Sequence, residues 1–157
     1  MPRRRDTAVI VDTRDSRSRA RAAAAGAVAA TAWGLAEPLD QRLLHCDYSD
    51  IALLGKAVTR GRHWRLAGFA LHAANGAVFG LVYEEVRRRV RVDPRRLAVA
   101  MALAEHVALY PVGAVVDRWH PARGEPGVPT LVWNWRAYLQ ATWRHLLFGA
   151  VLARAGR

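Results

Sequence analysis

The chain has 157 residues, 52% of them apolar, with 24 basic and 13 acidic side chains and a net charge of +11. That length corresponds to one domain, and the single cysteine, Cys46, excludes an intrachain disulfide or a cysteine-built metal site. Only Ser16, Ser18 and Ser49 are serines, which argues against a serine nucleophile, and the surplus of positive charge fits a nucleic-acid partner, an anionic membrane surface or the charged flanks of membrane spans.

Residues 1–21 mix Arg3, Arg4, Arg5, Arg14, Arg17, Arg19 and Arg21 with Asp6, Asp12 and Asp15, the pattern of a disordered, solvated basic tail. Residues 22–36 then carry no charge, and the apolar character continues past Glu37, Pro38 and Asp40 to Leu44. This is a first span, 22–44, weakly hydrophobic because it is built on Ala. A cleaved secretory leader is the rival reading of the same stretch, but three further apolar segments follow it. Residues 45–65 are a polar connection in which Ile51, Leu54 and Val58 recur at helical spacing, predicting a short interfacial helix. The 18 uncharged residues from Leu66 to Tyr83 predict the strongest span, 66–86. A basic hairpin through residues 87–96 leads to a third span, 97–116, interrupted by Glu105, His106 and Pro111. A Pro- and Gly-rich loop ending in Trp133 and Trp135 precedes the fourth, 136–153, which contains Gln140, Arg144 and His145.

The fold class expected is therefore all-α, a four-helix transmembrane bundle. Fifteen Arg residues fall in the tail, the 87–96 hairpin and the C-terminal end, against eight basic residues in the two opposite loops. The positive-inside bias then puts both termini in the cytoplasm of a bacterial inner membrane. Leu35-Ala36-Glu37 recurs as Leu103-Ala104-Glu105, and Phe79-Gly80 as Phe148-Gly149. Trp64 and Val82 likewise recur as Trp133 and Val151, all at offsets of 68 or 69. This predicts two duplicated helical hairpins about an axis along the membrane normal, with Glu37 and Glu105 as equivalents near it.

Along span two, Gly68, His72, Asn75, Gly76, Phe79, Gly80 and Tyr83 share one sector of a helix. Gly68, Gly76 and Gly80 are the helix-packing candidates, and His72 and Asn75 face protein on the same side. Glu105 and Arg144, each near the middle of a span, are expected to form an ion pair, because an isolated charge at that depth costs at least ~3 kcal/mol. Glu37 is a further candidate partner for Arg144 or for His72, and Glu37, His72, Asn75, Glu105, His106, Arg144 and His145 together make a buried polar cluster. Three histidines on three spans also permit a membrane-bound metal or haem redox protein, although no Glu-x-x-His or His-x-x-x-His pair occurs on one helix, and no metal or cofactor is assigned.

The His72-x-x-x-Gly76-x-x-x-Gly80 run with Tyr83, and His145-x-x-x-Gly149, resemble the second and last helices of uncharacterised small four-helix bacterial inner-membrane proteins. The resemblance covers about half the chain and implies a four-span architecture without an established activity. The partner expected is the lipid bilayer, with a homo-oligomer as a further possibility, and the role that of a non-enzymatic scaffold or small carrier. A soluble basic bundle on nucleic acid is the other reading, weakened because no aromatics are interleaved with the Arg runs.

Overall fold

The computed structural model describes residues 13–156, and every regular element among them is helical. There are six: α1 (Thr13–Leu44), α2 (Asp50–Val58), α3 (Trp64–Arg89), α4 (Pro94–Leu109), α5 (Val112–Trp119) and α6 (Trp135–Ala155). Residues 13–21, read from the sequence as part of the tail, form the first turns of α1. There Arg19 and Arg88 pair with Asp15, and Ser18 donates to Glu84 at 2.7 Å. The rest of the expected tail, residues 1–12, lies outside the described residues.

Local chemistry sets the ends. Ser49 caps α2 by accepting from Ala52 N–H, and Asn134 does the same for α6 through Ala137 N–H. Asp93 accepts from the Arg95 and Arg96 N–H groups at the start of α4, with Pro94 in the first turn where its missing N–H costs nothing. Pro111 interrupts the third predicted span, so the chain bends by 49° between α4 and α5.

The helices form an open ring in the order α3, α1, α6, α4, with α1 packed on both α3 and α6, α4 on α6, and only a slight meeting of α3 with α4. The α1–α3 seam is close because both backbones lack side chains at the crossing. A Cβ on Gly76 would overlap the Gly26 carbonyl oxygen and Ala30 Cβ, and one on Gly80 would overlap the Ala22 carbonyl. Gly68 lets α2 approach α3 in the same way, against Ile51. At one end of the ring the two long connections join. Ser49 N–H donates to Gly127 O and Gly127 N–H to Asp47 Oδ2. Lys56 bonds Pro126 O, and Arg60 bonds both Pro121 O and Glu125. Ala52, Ala122 and Val128 are buried between them.

By length and composition α3 is apolar enough to cross a membrane, and the bent α4–α5 pair also meets that criterion; α1 and α6 do not. Four spans therefore do not follow from helix composition alone. The distribution of polarity in space is more telling. Leu43 is 70% exposed and Leu66 71%, while Arg144 and Gln140 are 0% exposed. Gly76→Leu is expected to separate α1 from α3 at a cost of about 1–3 kcal/mol or more. A lowered midpoint in thermal unfolding of the purified protein is the readout, with Ala74→Leu on the exposed side of α3 as the neutral control.

Candidate functional site

Two adjoining features lie inside the ring: a closed ionic junction and an open cavity. The junction is built on α1 by Trp33, Glu37 and Asp40, which at i, i+4 and i+7 line one face. On α6 it is built by Gln140 and Arg144, one turn apart. The capped start of α2 delivers Asp50. Arg144 makes a two-pronged pair with Asp40, Nε to Oδ2 at 2.7 Å and Nη2 to Oδ1 at 2.6 Å. It further donates to Asp50 Oδ2 at 3.0 Å and Tyr48 O at 2.9 Å, lies 3.5 Å from Glu37 Oε1, and stacks over the Tyr48 ring. The guanidinium's planar fork suits such bidentate pairing, and no other basic residue reproduces it.

Three carboxylates around one cation need further donors, and the fold supplies them. Glu37 accepts from the Asp50 and Ile51 N–H groups at 2.8 and 3.3 Å and from the Ser49 hydroxyl, so its carboxyl group sits at the positive end of α2. Asp50 accepts from Trp33 Nε1 at 3.0 Å and from the Tyr48 hydroxyl. Gln140 donates to Asp40 at 2.8 Å and to Cys46 O at 3.0 Å. Burial opposes the charge on Asp50, but Arg144, His72 and the bonds from Tyr48 and Trp33 outweigh it and hold Asp50 below the ordinary carboxylate value. Burial, reinforced by the Asp50 carboxylate, pushes the Tyr48 phenol well above its usual range.

The second feature is a cavity of about 240 Å³ against the other side of Trp33 and Asp50, bounded by His72, Asn75, Phe79, Glu105, His106 and His145. It lies along the loose α3–α4 seam, where Asn75 and Leu109 are exposed. The histidine rings meet by stacking and edges: His106 on His145 at 4.8 Å, and Trp33 edge-on to both His72 at 5.1 Å and His145 at 4.5 Å. Among the described residues no three His, Cys, Asp or Glu are placed to hold a metal ion. The Thr142 hydroxyl gives its hydrogen to Tyr138 O, so His106 Nε2, 3.0 Å from that hydroxyl, is the donor to it. His145 Nδ1, 2.7 Å from Ala141 O, likewise carries a hydrogen. His72 Nε2 is buried with no hydrogen-bond partner.

Most residues singled out in the sequence thus come together, but in different company. The expected Glu105–Arg144 pair does not form: Arg144 is filled by Asp40, Asp50 and Glu37, whereas the basic group within 4 Å of Glu105 is His145 Nε2, at 3.8 Å. The reason is reach, since α6 turns Arg144 toward α1 and α2 and His145, one residue on, toward α4. Glu37 and His72 are buried, and Asn75 is exposed at the cavity rim. Asp40, Asp50, Tyr48 and Gln140 were missed. The i, i+4 spacing of Gln140 with Arg144 and of Trp33 with Glu37, and the i, i+3 step to Asp40, is the sequence pattern that points to Asp40 and Gln140. No protein-family model, curated protein or solved structure matches the chain.

Removing the guanidinium leaves the buried Glu37 and Asp40 and the half-buried Asp50 without their cation. Arg144→Ala is expected to cost about 3–5 kcal/mol in unfolding free energy. In double-mutant cycles Arg144 should couple strongly to Asp40 and by less than about 0.5 kcal/mol to Glu105. Chemical denaturation of the three single and two double variants checks both.

Proposed function

We propose that the chain is an integral protein of the bacterial cytoplasmic membrane that crosses it four times, through α1, α3, the bent α4–α5 pair and α6. Both termini lie in the cytoplasm, and the cavity between the helices serves as a small-molecule binding site, as in a non-enzymatic carrier. One observation carries this reading: polarity is inverted. The most deeply buried large side chains include Arg144 and Gln140, while Leu35, Leu39, Leu43, Leu66, Val78 and Val107 are each more than half exposed. In water such a surface is an aggregation hazard; in hydrocarbon it is the low-energy arrangement, with charged groups turned inward to satisfy one another.

The modest hydrophobicity of α1 and α6 fits the same picture, because their charged residues face the junction and not lipid. The aromatic residues Trp119, Trp133 and Trp135 stand exposed at the end that carries α2 and the long connections, where an interfacial belt belongs. The Arg-rich 87–96 hairpin lies at the opposite end, on the cytoplasmic side of this arrangement. The repeat also gains support. Residues that touch their own equivalents must lie near a twofold axis, and two pairs separated by 69 do so: Phe79 with Phe148, ring centroids 5.0 Å apart, and Lys56 with Glu125 at 3.4 Å. The resemblance of the second and last spans to small inner-membrane proteins agrees with this location.

Cys46 makes the test direct, because it is the sole cysteine and lies in the α1–α2 connection. The protein should stay in the membrane pellet after alkaline carbonate extraction. A membrane-impermeant maleimide should label Cys46 in spheroplasts, and label an Arg89→Cys, Cys46→Ser variant only after permeabilisation. Recovery in the soluble fraction, or the reversed labelling pattern, overturns the reading.

A further inference from the structure

The cavity's chemistry narrows what enters it, given the membrane-embedded binding reading above. We infer that it takes a small lipophilic organic cation, an amine or quaternary ammonium, with its positive charge against Glu105. Two carboxylates, Glu105 and Asp50, line the cavity, and no Lys or Arg does. Asp50 is already committed to Arg144, Trp33 and Tyr48. Glu105 has no such commitment. Its neighbour at 3.8 Å is His145 Nε2. The hydrogen of that ring sits on Nδ1, held by Ala141 O at 2.7 Å, so a neutral His145 presents a lone pair to Glu105. With Glu105 ionised, two acceptors face each other without a donor between them.

The internal repeat shows what is missing. At the offset of 69, Arg144 corresponds to Asn75, and Glu37 corresponds to Glu105 within one residue. In the α1–α6 seam the acid meets the guanidinium, and the seam is shut. In the equivalent α4–α3 seam the acid is retained, asparagine stands where the arginine would be, and the seam is open. A ligand cation occupies, in this arrangement, the place that the guanidinium holds in the other half. The remaining walls suit it, since Trp33, Phe79, Phe148, Tyr110 and Tyr138 give the cavity aromatic faces, which attract cations and accommodate an apolar body. The opening between α3 and α4 faces the region where a lipophilic cation concentrates from the bilayer. An anion would meet carboxylates with no counter-charge, and an uncharged ligand would leave Glu105 uncompensated.

The test uses the full-length detergent-purified protein titrated with benzyltrimethylammonium by calorimetry, beside benzenesulfonate, an aromatic of similar size and opposite charge. Saturable binding of the cation near one per chain, and none of the sulfonate, is expected. Glu105→Gln should weaken the cation by about tenfold or more, and Ala141→Phe should remove binding by filling the cavity without altering charge. Thermal midpoints show whether each variant is folded. If a variant is not, the wild-type comparison of cation with sulfonate decides. Absence of saturable cation binding, equal binding of the sulfonate, or an unchanged affinity in folded Glu105→Gln overturns the inference. Because these titrations are independent of the carbonate and maleimide results, a protein found in the membrane that ignores the cation removes the ligand assignment alone.

Discussion

A single guanidinium organises this molecule. Arg144 is wholly withdrawn from solvent and touches three acids and a backbone carbonyl that arrive from α1, from the start of α2 and from the connection between them. A buried charge is costly unless every donor is used in good geometry, and here its geometry determines how three chain segments meet. α6 is held against α1, and α2 is turned so that its amide end rests on Glu37. Trp33, whose indole nitrogen bonds Asp50, thereby becomes a fixed partition between the junction and the cavity. The apolar contacts of the ring, mostly Ala and Gly, permit close approach without dictating register, so specificity falls to the ionic centre.

The two interior features have opposite characters because their partners differ in number. At the junction, donors and acceptors nearly balance, and Gln140 Oε1 is the one polar atom there without a partner among the described residues. In the cavity, His72 Nε2 and the Glu105 carboxyl lack good partners. A satisfied cluster is architecture. An unsatisfied one, beside open volume, is where added matter is stabilised. Asp50 belongs to both, because it lines the cavity and is bonded to Arg144.

The helices were legible wherever one physical rule dominated. Leu66 to Tyr83 has no charge, and α3 spans it; Ile51, Leu54 and Val58 announced α2; Gly76 and Gly80 announced a close seam, because nothing else explains small residues spaced by four in an apolar helix. The partner choices were legible only for Glu37, which does approach Arg144. Arg144 was matched to Glu105 on depth alone, whereas rotation about the helix axis directs it to Asp40, a residue that in sequence reads as the polar end of a span. Asp50 was hidden because its role depends on where a loop delivers it. The start of α1 was also obscured: alternating Arg and Asp look solvated, yet at helical spacing Ser18 reaches Glu84 and Asp15 reaches Arg88 on α3.

The joined connections at the α2 end carry a mechanical implication. Backbone bonds between Ser49 and Gly127, with Lys56 and Arg60 clasping residues 121–126, clamp the two halves of the chain to each other on that side. The flank between α3 and α4 has no such fastening, so it is the side of the bundle least restrained against parting.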